Sequence, residues 1–288
     1  MIEVRQVSPR IGAEVVGVDV RTLDDASIRV IYQAFLDHIV VVIRGQQLSE
    51  DEFLAYSARF GELKPHIVRK HHHPKNPLLM LMDNMVFDVK KGKEDKAVPV
   101  LVQRGARWHT DLSFEYPSAK ATQLYSRAIP SRGGDTLFSN SYDSYERLPE
   151  SVKRRIENLS ATYCYGGRQK VGVELLDAAD LNRAPATHPL VRVHPETGRK
   201  ALYFDNGKLL DFVGIDAMEG AALAAELHRH VDVEADYRHK WQLGDIVIWD
   251  NRCSLHSATG DAPPDERRAF WRVTIMEEGW EQHQRLSV

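Results

Sequence analysis

DIVIWD at residues 245–250 and RAFWRVTIM at 268–276 are the two stretches that decide the fold class. Both are short runs of β-branched and aromatic residues, the composition that is typical of β-strands. Similar runs occur near the start of the chain, at 14–20 and 39–44. Because strands that lie far apart in sequence often pair in sandwiches and jelly rolls, this distribution predicts such an architecture.

Further strands and a few helices are predicted between these stretches. The strand-like runs are 78–83, 97–102, 121–126, 135–140, 189–193 and 200–204. Apolar residues at helical spacing predict helices at 26–37, 149–159 and 216–232, and another at 50–60 that opens with a capping box of Ser49 and Glu52. We therefore expect a mainly β fold with helical decoration. No repeat or domain boundary is evident, so residues 1–288 are expected to form a single domain.

The composition restricts the class of partner. The chain has 288 residues, of which 43% are hydrophobic and 27% are charged, as in ordinary globular proteins. Its formal net charge of -3 gives no general attraction for nucleic acid or anionic membranes, so neither is expected as a partner. Cys164 and Cys253 are too few for a disulfide framework, and no apolar signal or membrane-spanning run is present. A cytoplasmic location is therefore expected.

RWHTD at residues 107–111 contains an imidazole and a carboxylate two positions apart. On extended backbone, His109 and Asp111 project to the same face. His256 follows the strand-like run 245–250, so only the fold can bring it to them. Two histidines and one carboxylate on one side of an ion leave its other positions open, which suits non-haem Fe(II).

These residues by themselves leave alternatives open. Cys253 and His256 form a Cys-x-x-His pair that could contribute to a zinc site. A metal-dependent hydrolase or isomerase on a jelly-roll barrel would use the same three side chains for zinc or manganese. A non-catalytic module that binds a small anion is a third hypothesis.

Two arginines lie on the predicted strand 268–276. Alternation places Arg268, Phe270, Arg272 and Thr274 on one face. Four residues of strand separate the two arginines by roughly 13 Å, so they suit two different anions beside a shared metal. Arginine is well adapted to carboxylate recognition because its planar group donates two parallel hydrogen bonds.

The chain resembles the taurine dioxygenase and 2,4-dichlorophenoxyacetate dioxygenase family of Fe(II)/2-oxoglutarate-dependent enzymes. The resemblance covers nearly the whole chain and rests on blocks that occur in the family order. These are WHTDLSF at 108–114, GGDTLFSN at 133–140, HPLVRVHPETGRKALYF at 188–204, and WQLGDIVIWDNRCSLHSA at 241–258 followed by RRAFWRVTI at 267–275. The resemblance implies a double-stranded β-helix, which is a jelly-roll variant, with Fe(II) as the metal and with 2-oxoglutarate and O2 as cosubstrates.

The resemblance also implies roles for individual residues around the metal. His109, Asp111 and His256 match the iron ligands of the family. Thr136 matches a residue that helps to hold the 2-oxoglutarate carboxylate next to iron. Arg268 matches the arginine that pairs with the distal carboxylate of 2-oxoglutarate.

Substrate recognition is implied in the same way. Arg272 matches the arginine that binds the acidic group of the substrate, His66 matches a substrate-contacting histidine, and Tyr203 lies where an aromatic residue often lines the pocket. The expected substrate is a small anionic organic molecule, such as a sulfonate, an aryloxyalkanoate, an alkyl sulfate or another carboxylate. Its hydroxylation, in some cases with C–S or C–O cleavage, would accompany the conversion of 2-oxoglutarate to succinate and CO2. Family members often form dimers or tetramers, so a homo-oligomer is expected.

The chain departs from the family pattern at two positions near the expected pocket. Gly105 stands where taurine enzymes have an asparagine, and Arg69 stands where a tyrosine is expected. The polar runs 70–73 and 90–96 are predicted to be solvated loops. These departures leave the identity of the substrate open.

Overall fold

The structure is a computed structural model that describes residues 2–85, 107–231 and 235–277. Within these ranges the fold is mainly β, as expected, with sixteen strands and five α-helices. The strands are β1 (Glu3–Gln6), β2 (Ala13–Val16), β3 (Val40–Ile43), β4 (Leu63–Lys64), β5 (Met80–Asp83), β6 (Ala119–Ala128), β7 (Thr136–Asn140), β8 (Ser160–Tyr163), β9 (Ala186–Pro189), β10 (Val191–Val193), β11 (Lys200–Leu202), β12 (Leu209–Phe212), β13 (Tyr237–His239), β14 (Ile246–Asp250), β15 (Ser254–Ala258) and β16 (Ala269–Met276). The helices are α1 (Asp25–His38), α2 (Glu50–Ser57), α3 (Ser141–Glu146), α4 (Glu150–Ile156) and α5 (Ala217–Val231).

The larger sheet joins the two ends of the chain. Its strand order is β1-β2-β3-β14-β6-β16-β4, and β5 also pairs with β16. Strand β14 runs antiparallel to both β3 and β6, and β16 runs antiparallel to β6. The expected pairing of late strands with early ones is therefore confirmed.

The central strand β14 is buried on both faces. Ile246 and Ile248 pack with helices α1 and α2 in one apolar core. Val247 and Trp249 point to the opposite face and pack in a second core with Phe138 of β7. A strand that is covered on both sides needs apolar residues at successive positions, which is why this stretch is continuously apolar.

A smaller sheet with the order β13-β7-β15 covers the second face of the larger one. Phe138 of β7 stacks on Tyr237 of β13 with ring centroids 6.0 Å apart, and both belong to the core between the sheets. Strand β15 carries His256, and β7 begins at Thr136. The candidate site residues of these strands are thus held against the larger sheet.

A third layer is formed by the β12-β8-β9 sheet and the β10-β11 pair. Buried residues of these strands share one apolar core with Val152 and Ile156 of α4 and with Leu223 and Leu227 of α5. Among the described residues, none of the helices combines the length and the apolar composition that a bilayer crossing requires.

Several predicted boundaries needed correction. The capping box of Ser49 and Glu52 is present at the start of α2, but a 3-10 turn replaces the α-helix after Ser57. The predicted strand 14–20 ends at Val16, since Gly17 has a positive φ of 80°. The predicted strand 189–193 is divided at Leu190, because β9 pairs with β8 while β10 pairs with β11. The predicted strand 97–102, Gly105 and the predicted loop 90–96 lie outside the described residues.

Candidate metal centre

His109 and His256 meet through their backbones. The N–H of His109 donates to the carbonyl of His256 at 3.1 Å, and the N–H of His256 donates back at 2.9 Å. This isolated antiparallel bridge places the two imidazole centroids 4.2 Å apart. The Asp111 carboxylate reaches the same place, and potential ligand atoms of all three side chains lie within 4.8 Å of one another. The structure therefore brings together the three side chains that the sequence singled out.

The spacing of the donors fits a shared ion. His256 Nε2 lies 3.7 Å from Asp111 Oδ2, which is too long for a hydrogen bond. Two bonds of about 2.1 Å that meet at an ion at 90° to 120° would place their donors about 3.0 to 3.6 Å apart. His256 Nδ1 is buried and has no hydrogen-bond partner among the described residues. The donor set of two imidazoles and one carboxylate thus fits a divalent transition metal such as Fe(II).

Neighbouring groups prepare both imidazoles for metal binding. His109 Nδ1 lies 2.7 Å from the carbonyl of Arg107, and this acceptor assigns the proton to Nδ1 and leaves the Nε2 lone pair available. Burial, together with the electrostatic interaction with the neighbouring imidazole of His109, lowers the pKa of His256 to about 3. His256 is therefore neutral near pH 7, as a metal ligand must be.

The Asp111 carboxylate is fixed on both of its oxygens. Thr122 Oγ1 donates to Oδ2 at 2.6 Å, and Arg272 Nη2 lies 2.8 Å from Oδ1. Burial by itself raises the pKa of Asp111, but the charges of Arg272, His256 and His109 outweigh it and the pKa is lowered well below its usual range. Asp111 is therefore an anion throughout the physiological range.

Thr136 and Arg268 lie near each other at a second position in the space between the sheets. In the β15–β7 register, His256 is opposite Phe138 and Ala258 is opposite Thr136. Thr136 therefore lies two residues, or about 7 Å, further along the strand than the metal ligands. Trp241 Nε1 donates to Thr136 Oγ1 at 3.0 Å, and the Trp241 ring lies 4.6 Å from Phe270, on whose face the Arg268 guanidinium rests at 4.4 Å.

Arg268 is a buried cation without a close counter-ion among the described residues. Its Nε donates to the carbonyl of Gly134 at 2.9 Å, and a Cβ at Gly134 would lie only 3.0 Å from the Arg268 side chain. Asp135 and Asp261 form ion pairs with Arg238 instead. Burial outweighs their distant attraction and lowers the pKa of Arg268 to about 10. A carboxylate entering this position would gain a guanidinium that is already desolvated.

Arg272 and His66 lie near the Asp111 carboxylate. Arg272 Nε is buried with no hydrogen-bond partner among the described residues. Burial, followed by the nearby charge of Arg272, lowers the pKa of His66 well below its usual value. The backbone N–H of Val68 donates to His66 Nδ1 at 3.1 Å, so the neutral ring carries its proton on Nε2. Arg272 Nε is therefore an unused donor close to Asp111, and His66 is near enough to interact electrostatically with both residues.

Tyr203 is buried beside a different set of polar side chains. It is buried in the core of the third layer, where its ring packs against Arg192 at 4.6 Å and against His188 at 5.3 Å. The same apolar core contains Leu112 and Leu255, which are the chain neighbours of Asp111 and His256. A role of Tyr203 in the substrate pocket therefore stays a prediction.

Arg69 forms ion pairs with a neighbouring segment. Its Nη1 lies 2.9 Å from Asp180 and 3.3 Å from Asp177, and the adjacent Lys70 donates to the carbonyl of Glu174 at 3.2 Å. The residue that replaces the expected tyrosine thus anchors the chain around 174–180 to the segment that carries His66.

The sequence did not identify Thr122 and Asn251, which contact the turn that carries Asp111. Thr122 lies at an inward position of β6, and Asn251 directly follows β14 in the block at 241–258. A buried threonine on β6 was the available signal, although this strand also carries the buried polar residues Lys120, Gln123 and Ser126. It was weak because buried threonines are common in sheets.

Cys253 is not part of this centre. Its sulfur groups with His194 and Asp250 rather than with His256. The zinc hypothesis based on the Cys253 and His256 pair is therefore not supported by the geometry of the described residues.

Comparison with known proteins shows that the chain is similar to one enzyme family over most of its length. The model of the family described as Taurine catabolism dioxygenase TauD, TfdA family matches residues 3–274. The alpha-ketoglutarate-dependent 2,4-dichlorophenoxyacetate dioxygenase of Cupriavidus pinatubonensis is 34% identical over 255 residues, covering 86% of this chain and 88% of the relative. The alkylsulfatase of Acinetobacter baylyi is 34% identical over 292 residues, covering 96% and 86%.

A sulfonate dioxygenase and a solved structure add to these relatives. The alpha-ketoglutarate-dependent sulfonate dioxygenase of Saccharomyces cerevisiae is 30% identical over 286 residues, covering 96% of this chain and 67% of the relative. The crystal structure of AAD-2 in complex with Mn(II) and N-oxalylglycine is 26% identical, has a TM-score of 0.81, and is matched over 96% of this chain and 98% of that chain.

Proposed function

Since this chain belongs to the taurine catabolism dioxygenase TauD, TfdA family, we propose that it oxidises a small anionic organic substrate at an iron held by His109, Asp111 and His256. The enzyme is a non-haem dioxygenase that depends on Fe(II), 2-oxoglutarate and O2. The observation that carries the assignment of the ligands is the convergence of these three side chains, whose donor atoms lie within 4.8 Å of one another.

Bound Fe(II) supplies the activation of O2 that couples conversion of 2-oxoglutarate to succinate and CO2 with oxidation of the substrate. The protein contributes the position of each reactant. Arg268 pairs with the distal carboxylate of 2-oxoglutarate, and Thr136 helps to hold the cosubstrate. Their placement around Trp241 and Phe270, along the strands from the ligands, supports this orientation. An extended cosubstrate can therefore reach from Arg268 toward the ligands.

Arg272 and His66 bind the acidic group of the substrate. Arg272 Nε is buried without a partner in the described residues, and the proton on His66 Nε2 is free of the backbone contact made by Nδ1. An oxyanion between these groups would satisfy both donors and would be excluded from water. The C–H bond to be oxidised is then presented toward the metal, which lowers the entropic cost of the reaction.

The substrate class follows the named activities of the relatives, which are a 2,4-dichlorophenoxyacetate dioxygenase, an alkylsulfatase and a sulfonate dioxygenase. We propose that this chain takes a sulfonate, an aryloxyalkanoate, an alkyl sulfate or another carboxylate. Hydroxylation of a carbon that bears sulfur or an ether oxygen gives an unstable product, and its collapse cleaves the C–S or C–O bond. Tyr203 contributes to the pocket wall, which its place in one apolar core with Leu112 and Leu255 supports.

Several features of the whole protein belong to the same proposal. The larger sheet and the β13-β7-β15 sheet form a double-stranded β-helix of the jelly-roll class, which their shared apolar core supports. Residues 1–288 act as a single domain in the cytoplasm. The enzyme is a homo-oligomer and needs neither nucleic acid nor a membrane as a partner.

Anaerobic spectroscopy tests the function directly. Addition of Fe(II) and 2-oxoglutarate is expected to give a metal-to-ligand charge-transfer band, and the true substrate class will perturb this band within a panel of sulfonates, aryloxyalkanoates and alkyl sulfates. Admission of O2 should then release succinate in proportion to substrate consumed. Turnover of a panel member without O2 would instead indicate a hydrolase or isomerase.

Replacement of Arg268 tests the cosubstrate site. Arg268→Ala is expected to weaken 2-oxoglutarate binding by about 3 to 5 kcal/mol, since the buried distal carboxylate would lose its partner. The matched control is Arg267→Ala, because Arg267 is exposed and pairs with Asp83 at 2.7 Å. Anaerobic isothermal titration of both variants with Mn(II) and 2-oxoglutarate measures the difference. Equal affinities of Arg268→Ala and Arg267→Ala for 2-oxoglutarate would show that Arg268 does not bind the cosubstrate.

A further inference from the structure

Four buried side chains form a continuous chain of hydrogen bonds that ends on the Asp111 carboxylate. Trp249 Nε1 donates to Asn251 Oδ1 at 3.0 Å, and Asn251 Nδ2 donates to Thr122 Oγ1 at 3.0 Å. Thr122 Oγ1 in turn donates to Asp111 Oδ2 at 2.6 Å. All four residues are at most 6% exposed, so water does not compete for these bonds.

The direction of this chain is determined by its first member. The indole of Trp249 can only donate, so the atom of Asn251 that faces it must be the amide oxygen. The amide nitrogen of Asn251 then faces Thr122 and supplies a proton to its hydroxyl oxygen. Because a hydroxyl has a single proton, Thr122 must direct that proton to Asp111. Every link is therefore oriented toward the carboxylate.

The larger sheet fixes the relative positions of Trp249 and Thr122, the first and third members of this series of hydrogen bonds. Trp249 of β14 and Thr122 of β6 are directly paired in the antiparallel ladder. Asn251 is tied to the same framework, since its N–H donates to the carbonyl of Lys120 at 2.9 Å. Its carbonyl accepts the hydroxyl of Thr110 at 2.7 Å, next to Asp111 in the turn. Both are contacts of the Asn251 backbone, which is thereby anchored to the sheet and to this turn and fixes the origin of the Asn251 side chain.

Asp111 has a competing partner that makes this restraint necessary. Arg272 Nη2 lies 2.8 Å from Oδ1, and a guanidinium favours a bidentate arrangement in which it engages both oxygens of a carboxylate. Such an arrangement would turn Oδ2 away from His256. The Thr122 proton holds Oδ2 in place and still leaves this oxygen a free lone pair.

We propose that Thr122 and Asn251 are positioning residues that lock the Asp111 carboxylate in its metal-binding orientation against the pull of Arg272. This inference rests on the proposed role of Asp111 as a ligand. Loss of the lock is expected to weaken metal binding even in a fully folded protein, because groups that orient a ligand typically account for a 10- to 100-fold difference in metal affinity.

The first test compares Thr122→Val, Thr122→Ser and Thr274→Val. Valine keeps the shape of threonine but removes the donor, whereas serine keeps the donor. Thr274 is a buried threonine directly opposite Thr122 on β16, so Thr274→Val is the matched control. Calorimetric titration with Mn(II) alone, in the absence of 2-oxoglutarate, is expected to show affinity reduced about 10- to 100-fold in Thr122→Val. The other two variants should stay within a few-fold of wild type.

The second test is Asn251→Asp, which reverses one link of the chain. A carboxylate at position 251 accepts but does not donate, so the single Thr122 proton would turn toward it and away from Asp111. The added negative charge would by itself favour a cation. A lower affinity for Mn(II) in a variant of unchanged melting temperature therefore supports the lock, and an equal or higher affinity overturns it.

Asp111→Ala separates this inference from the assignment of the ligands. If Asp111→Ala binds Mn(II) as the wild type does, Asp111 is not a ligand and the proposed site fails. If Asp111→Ala loses Mn(II) while Thr122→Val and Asn251→Asp retain it fully, the ligands stand and the positioning role is wrong.

Discussion

Two groups of three side chains place potential ligand atoms within 4.8 Å of one another. The carboxylate of each group already has partners, so the two groups differ in their imidazole nitrogens. In the group of His109, Asp111 and His256, His256 Nε2 lies 3.7 Å from the carboxylate and its Nδ1 has no hydrogen-bond partner in the described residues. The second group consists of His194, Asp250 and Cys253. This difference identifies the first group as a candidate metal site and the second as a structural hydrogen-bond network.

In the second group both nitrogens of the imidazole are occupied, in addition to both oxygens of the carboxylate. Asp250 Oδ1 accepts from Arg252 Nε at 2.9 Å, and Oδ2 accepts from Arg252 Nη2 at 2.6 Å and from His194 Nε2 at 3.0 Å. His194 Nδ1 accepts the backbone N–H groups of Glu196 and Thr197. Burial also raises the pKa of the Cys253 thiol well above its usual value, although a metal ligand must be a thiolate. Proximity alone is therefore a poor criterion, and available lone pairs are a better one.

The largest expected effect is the loss of metal from the first group only. Asp111→Ala or His256→Ala should reduce the affinity for Mn(II) at least about 100-fold and should abolish succinate formation that depends on substrate. His194→Ala should retain one bound metal ion per chain. Calorimetric titration and metal analysis of the folded variants measure this difference in metal binding. Loss of the metal in His194→Ala would contradict the assignment of the metal to the first group.

The next largest expected effect is a loss of folding stability when Asp250 of the second group is replaced. Asp250→Asn removes one of the two carboxylates that pair with a buried guanidinium, since the Arg252 side chain is only 3% exposed and also contacts Glu196 at 2.7 Å. The free energy of unfolding should fall by about 3 to 5 kcal/mol, while metal stoichiometry stays the same. Urea denaturation gives this value. Asp19→Asn, which alters a surface pair with Arg21, is the control and should leave stability nearly unchanged.

The smallest expected effect is a pH dependence of the difference in unfolding free energy between wild type and Asp250→Asn. Burial raises the pKa of Asp250, but Arg252 and His194 outweigh burial and the net pKa is lowered. As the pH falls, the unfolded chain takes up the proton first, with a pKa of about 3.9. The stability from Asp250 is therefore complete above about pH 5 and is lost progressively below about pH 4.

The gap in unfolding free energy between wild type and Asp250→Asn should narrow accordingly. Urea denaturation of both proteins in a series of buffers from about pH 7 to about pH 3.5 measures this gap. A gap that stayed constant over the whole series would mean that the Asp250 carboxylate is not what stabilises the network.

The predictions from sequence were most accurate where local chemistry decides the structure. The capping box of Ser49 and Glu52 needs only neighbouring residues and is present as predicted. The run 245–250 was predicted as a strand, and β14 occupies Ile246–Asp250. The run 189–193 was divided because its two halves pair with different strands, and no pattern within five residues specifies a partner.

The sequence by itself determined the strand and helix patterns, the candidate ligands and, through its ordered blocks, the family. Only the tertiary structure decided that His256 meets His109 while the nearby Cys253 turns to Asp250. It also decided that Arg69 pairs with Asp180 and that Thr122 reaches Asp111. The physical reason is that these contacts join residues far apart in the chain, and the register of paired strands, which no local pattern encodes, sets which atoms meet.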